Sequence, residues 1–282
     1  MKKTLRSGNR PFKIVAYILC IILAVLSLMP FVIMIVNSTR STHEIQQHAI
    51  SFIPSHYLMS NFAVYDGKTF DAFVGFKNSI LVATCSTILT VYFSSLTAYT
   101  LVAYQWKLRA AFFTMILCVM MIPGQITSIG FMQFMYQIKM TNNFIPLIVP
   151  GIAAPATVFF MRQFMLASLP LELLDSARID GSKEFYTFNR IVLPIMKPAM
   201  ATQAIFTFVA KWNELFLPSV LLTNNSKYTM PIMVSLLRGD IYKVEHGAIY
   251  LGVTLSVIPL FIVYFSLSKY IIAGVALGGV KG

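Results

Sequence analysis

The sequence predicts an all-α polytopic membrane protein with six transmembrane helices, and three observations carry that prediction. Its 282 residues are 57% apolar and only 11% charged, with a mean hydropathy of +0.73, against about 25% charged residues in soluble domains. Several apolar stretches reach the length of about 20 helical residues that crosses a hydrocarbon core. Lys and Arg collect at the ends of those stretches, which is the pattern of membrane topology; basic residues that bind nucleic acid instead share one face with interleaved aromatics. The net charge of +12 therefore points to membrane lipid around the chain and not to nucleic acid.

The basic segment 1–13 precedes Ile14–Val36, a continuous apolar run of 23 residues. A basic start and an apolar run also mark a signal peptide, but this run is too long and no small-residue cleavage site closes it. It is read as a retained first span with Pro30 kinking its far end. Asn37–Gly75 is polar and lies outside the membrane; its His43, His48 and His56 are spaced unlike any compact metal motif. Phe76–Val102 is the second span, opening on Lys77-Asn78-Ser79, and Gln105–Arg109 a basic turn.

Ala110–Phe134 is the third span, interrupted by Pro123-Gly124-Gln125. Such an opening either faces a water-filled cavity or is a packing kink. Phe144–Leu166, with Pro146, Pro150 and Pro155, is the fourth span, Ala199–Leu222 the fifth and His246–Ile272 the sixth, with Thr223–Glu245 an outer loop. The membrane-spanning region is thus 14–273, followed by the glycine-rich tail 274–282. With this topology fourteen Lys and Arg fall on the inner side and seven on the outer, which places both termini in the cytoplasm.

Pro170–Pro194 is the one long polar interruption. Leu171, Leu174 and Arg178 share a stripe of one short helix, and Phe185, Phe188, Ile191, Val192 and Ile195 a face of the next. Gly181 between them suits a left-handed helix end, Ser182 a cap, and Glu184 the positive end of the second helix. The segment is an elbow with an apolar ridge open to a partner.

Catalytic constellations are absent from the sequence: no phosphate loop G-x-x-x-x-G-K-[ST] and no H-E-x-x-H. Cys20, Cys85 and Cys118 lie in apolar segments without metal spacing. The chain reads as neither an enzyme nor a metal protein. Lys211 and Glu214 are opposite charges inside the fifth span, three residues apart on one helix face. Either Trp212, Asn213 and Glu214, with Gln125, line a translocation path, or the charges form a structural ion pair. A tryptophan beside hydrogen-bonding groups suits the apolar face and hydroxyl rim of a sugar.

Asp175-Ser176-Ala177-Arg178-Ile179-Asp180-Gly181, closing at Leu193-Pro194, resembles the EAA loop of permease subunits in ATP-binding-cassette importers, with Asp175 where that pattern has Glu and Ser176 where it has Ala. The run from Asn142 to Phe164 and the tail Ala273–Gly282 resemble the shorter permease of carbohydrate importers, so the likeness covers nearly the whole chain. The resemblance implies an importer of sugars or oligosaccharides in a bacterial cell membrane. Its partners would be a second homologous permease, two ATPase subunits that hydrolyse ATP with Mg, and an external solute-binding protein. This chain itself would carry no cofactor. The resemblance further implies that Asp175, Ser176, Ala177, Asp180, Gly181, Phe185, Phe188, Arg190 and Pro194 couple to the ATPase, with the tail reaching toward it or remaining free. The rival reading is an ion-coupled secondary transporter, which needs coupling groups at mid-membrane and usually internal repeats; no repeat is visible here.

Overall fold

A computed structural model describes residues 10–66, 71–238 and 244–278. The basic segment before Arg10 and the last four residues of the tail lie outside them, as does the stretch 239–243 of the Thr223–Glu245 loop. Every regular element among the described residues is helical. In chain order these are α1 (Arg10–Ser38), α2 (Thr42–Gln47), α3 (Leu58–Tyr65), α4 (Ala72–Ala103), α5 (Arg109–Met120), α6 (Gly124–Gln137) and α7 (Ile145–Ile148). A 3-10 turn, Val149–Ile152, leads into α8 (Pro155–Ser168), followed by α9 (Leu171–Ile179) and α10 (Glu184–Thr187). A π-helical turn, Phe188–Val192, leads into α11 (Leu193–Trp212); α12 (Phe216–Leu221), α13 (Met230–Arg238) and α14 (His246–Gly278) complete the series. Five helical stretches are long and apolar enough to cross a membrane, six if a bent pair counts as one.

The chain divides into two compact units. The first, Met1–Lys68 with Leu236–Leu255, holds α1, which is continuous through Pro30 and exposes apolar side chains along nearly its whole length, as a lipid-facing helix does. The loop after α1 contains the two short helices α2 and α3. Their anchor is Arg40, a buried cation that donates to Asn37 Oδ1 at 2.9 Å and to the carbonyls of His48 and Glu44 at 2.7 and 2.9 Å. A capping box starts α2: Ser41 Oγ accepts from Glu44 N, and Glu44 Oε2 from Ser41 N at 2.8 Å. Asn61 Nδ2 donates to the carbonyls of Ser38 and Arg40. Gly247 packs so closely here that an added Cβ would lie 2.5 Å from Arg40 O and from both ends of the Asn61 amide. Gly247→Ala is therefore expected to lose about 1–3 kcal/mol by overpacking, read as a lower melting temperature in detergent, whereas glycine-to-alanine in an open helix position would stabilise.

The second unit, Thr69–Ser235 with Ser256–Gly282, is organised around α4, which packs against α8 and α11. Small residues let the backbones approach in a membrane, and α4 buries Ala83, Ser86, Thr90, Ser94, Ser95 and Ala98. It begins at Ala72 with Asp71 capping the Val74 N–H, a turn earlier than the sequence predicts. Asn78 and Ser79 consequently lie inside the helix, where Asn78 donates to the carbonyls of Ser226 and Tyr228 and Ser79 Oγ accepts from Met230 N.

The structure revises the bounds or continuity of four expected spans. The third is broken, not kinked: α5 and α6 meet at 94°, because Pro123 can neither continue the ladder nor leave its predecessor helical. The fourth is interrupted at the 3-10 turn between Pro146 and Pro155. The fifth candidate span runs Glu184–Trp212, so the elbow's second arm and the span are one helical rod. Leu193 N bonds back to Phe188 O, a five-residue step that widens the turn just before Pro194 removes a donor. The sixth continues helically to Gly278, past the expected end at Ile272.

Candidate functional site

The elbow is built by local rules. At the end of α9, Gly181 N donates to Arg178 O at 3.0 Å and Ser182 N to Ala177 O at 2.9 Å. With Gly181 at φ +76°, this is the Schellman arrangement, whose left-handed residue glycine adopts without steric penalty. The expected Ser182 cap is corrected: Lys183 takes the cap position of α10 without a side-chain bond, and Ser182 Oγ pairs with Thr187 Oγ1 at 2.8 Å. Glu184 does lie in the first turn of α10, but it also spans the two arms.

Arg178 is the hub of that span. Its Nε donates to Glu184 Oε1 at 2.9 Å and its Nη1 to Asp175 Oδ1 at 3.2 Å, while its guanidinium lies 5.3 Å from the Tyr104 ring centroid. Tyr99 Oη donates to the other Glu184 oxygen at 2.8 Å. The Glu184 hydrogen bond holds the guanidinium protonated even more firmly than usual. These groups are partly exposed, and such pairs contribute about 0–1 kcal/mol each; their effect is positional, tying α9 to α10 and both to α4. Glu184→Gln is expected to leave the melting temperature nearly unchanged and to speed hydrogen exchange at amides 178–188, since the amide keeps only one acceptor oxygen, uncharged, for Arg178 and Tyr99.

Burial separates the elbow's residues into roots and surface. Leu174, Ala177, Phe188 and Val192 are buried, and all but Ala177 join the cluster with Tyr99, Val102, Met161 and Met196. Phe188, 0% exposed, sits 5.4 Å from the Tyr99 ring and edge-on to Tyr92 at 5.7 Å. It is thus corrected from ridge residue to internal anchor, and Ile191 is half-buried. The exposed apolar surface is instead Ile179 (86%), Phe185 (69%), Tyr186, Leu171 and Leu173. Asp175, Ser176, Asp180, Lys183, Arg190 and Pro194 are exposed with them, and Arg190 lies 6.0 Å from the Tyr186 ring. Sequence reasoning missed Ile179 and Tyr186; the available signal was an isoleucine off the Leu171–Leu174–Arg178 stripe, directly before Asp180-Gly181.

The second predicted set does not assemble as a path lining. Trp212 is buried, donates from Nε1 to Ser256 O at 2.9 Å and stacks on Phe208 at 5.8 Å, so its face is unavailable to a ligand. Lys211 and Glu214 pair at 2.8 Å, the structural ion pair, and they lie where α11 ends and not mid-helix. Asn213 caps that end and is exposed. Gln125 is exposed in the first turn of α6.

Residues 90–276 match the family described as binding-protein-dependent transport system inner membrane component. An arabinooligosaccharides transport system permease protein of Halalkalibacterium halodurans is 34% identical over 262 residues, covering 92% of this chain and 93% of its own. A lactose transport system permease protein of Rhizobium radiobacter is 32% identical over 281 residues, covering 100% of both chains. The fold matches a chain from the crystal structure of a bacterial ABC transporter involved in the import of the acidic polysaccharide alginate, with TM-score 0.78, 21% identity and coverage of 95% and 99%. The family match runs from α4 through the whole elbow and into α14, so this chain belongs to the binding-protein-dependent transport system inner membrane components, as a multi-pass membrane protein.

Proposed function

We propose that the chain is the membrane-spanning permease subunit of an ATP-driven carbohydrate importer, coupled to ATPase subunits through Pro170–Pro194. The observation that carries this reading is the apolar patch of Ile179, Phe185 and Tyr186 on an elbow whose turn and ion pairs fix its shape. A patch of this kind, rimmed by charges, marks a protein interface. In a groove of an ATPase it would be covered, and Asp175, Asp180, Lys183 and Arg190 would set its register. Phe188 and Leu174 root the elbow against α4, so closure of an ATP-loaded ATPase pair moves the bundle with the elbow. Differential contact in the two states then shifts the population between inward- and outward-open forms.

The elbow side is cytoplasmic in this reading, as are both termini. A second homologous permease completes the pathway, an external binding protein delivers the sugar, and ATP and Mg are bound by the ATPases. Carbohydrate is the class named for the relatives in Halalkalibacterium and Rhizobium; the ion-coupled alternative has no support among them. The test is affinity purification of the tagged chain in mild detergent with mass spectrometry of what accompanies it. An ATPase and a second permease are expected; a homomer free of ATPase would overturn the proposal.

A further inference from the structure

A furrow of about 370 Å³ within the second unit lies between α4, α8, α11 and the 3-10 turn that breaks the fourth span. Its side-chain lining is Thr90, Thr157, Gln203, Phe206, Thr207 and Lys211. Gln203, Thr207 and Lys211 recur every four residues, which places them in one row along α11, with Phe206 beside the row and 64% exposed. Thr90 and Thr157 are buried at the base. Among the described residues no hydrogen bond engages the side chains of Gln203, Thr207, Thr90 or Thr157, so donors and acceptors at the rim and base stand free. Lys211 is neutralised by Glu214 at 2.8 Å, leaving the lining without a free charge.

The backbone here is irregular and borders the furrow. Pro150 and Pro155 have no N–H to give, and the segment Val149–Ala154 departs from α-helix in the middle of an apolar span. Non-helical backbone at membrane depth is tolerated only where protein buries it or where it lines a water-filled cavity, and Pro150, Gly151, Ala153 and Ala154 line this one. The turn is held close by Gly151, whose added Cβ would meet Thr90 Oγ1 at 2.8 Å and Ser86 Oγ at 2.9 Å.

We propose that this furrow is a carbohydrate contact site on this subunit: an uncharged sugar lays its apolar face on Phe206 and shares hydroxyl hydrogen bonds with Gln203, Thr207 and Thr90. An exposed aromatic ring beside uncharged donors and acceptors is the chemistry of a sugar ring, apolar on its face and polar at its rim. The role that the sequence suggests for Trp212 passes to Phe206, six residues earlier on the same helix. The inference rests on the importer reading and extends it from coupling to substrate contact.

The test is import of tritiated lactose, maltose and arabinotriose by the complete transporter in proteoliposomes, with its ATPase and binding protein, for the wild type and for Phe206→Ala, Phe206→Tyr and Gln203→Ala. Phe206→Ala and Gln203→Ala are expected to slow import of the transported sugar about fivefold each, from the loss of one ring or hydrogen-bond contact. Phe206→Tyr retains import, and the amount of co-purifying ATPase stays constant. Wild-type import by both alanine variants would overturn the site, as would loss of ATPase together with import, which would make these residues packing elements. A wild-type transporter that hydrolyses ATP but moves none of the three sugars would overturn the carbohydrate reading, and this site with it.

Discussion

Replacing Gly181 with proline is expected to leave the chain in the membrane while import falls at least tenfold and ATP hydrolysis by the assembled transporter persists. Two local facts set the size of the effect. Gly181 sits at φ +76°, whereas proline fixes φ near −65°. Its N–H also donates to Arg178 O at 3.0 Å, and proline has none. Both bonds of the Schellman turn depend on that conformation, so α9 and α10 would leave the turn at a different angle and the Arg178–Glu184 pair would part. Gly181→Ala is the control. No atom lies within 4 Å of the added Cβ, so its cost is only the left-handed conformation, about 1–2 kcal/mol, and coupling is expected to weaken but survive. The order wild type, alanine, proline in sugar moved per ATP hydrolysed is the expected result. Undiminished import by Gly181→Pro would refute a lever that depends on the elbow's shape.

The parts of this protein that could be read in its sequence are those fixed by neighbours in the chain. The α1 span follows from an unbroken apolar run, and the glycine-centred turn follows from Asp180-Gly181 between two helical patterns, because helix capping is a local event. What was illegible depends on contacts across the chain. The sequence offers Trp212 as a pathway residue because it stands beside Asn213 and Glu214, with a structural ion pair as the other reading; its indole is occupied by the carbonyl of Ser256, 44 residues away. The furrow residue Phe206 gave no signal of its own, since one phenylalanine in an apolar helix looks like any other until its neighbours' exposure is known. The break in the third span was legible from Pro123-Gly124-Gln125, but its 94° bend was not, and apolar spacing alone carried the fifth span past the real helix end at Trp212.

Phe185 and Phe188 carry this distinction into an experiment. They are three residues apart and share a predicted ridge, yet one is 69% exposed and the other fully buried. Phe188→Ala removes a ring that packs on Tyr99 and Tyr92 and is expected to cost about 3–5 kcal/mol, read as a large drop in melting temperature of the detergent-solubilised chain. Phe185→Ala should change that stability by less than about 0.5 kcal/mol, because its ring already faces solvent, yet it should sharply reduce the ATPase recovered with the tagged permease. An aromatic hot spot at the centre of an interface contributes about 2 kcal/mol or more. Substituting Ile179 by Ser should act as Phe185→Ala does, without a stability change, since it is the most exposed apolar residue of the elbow. If Phe188→Ala lowered ATPase recovery at unchanged stability while Phe185→Ala and Ile179→Ser retained it, the docking surface would have to be moved to the opposite side of the second arm. The assignment of anchor and surface to these two rings would then be reversed.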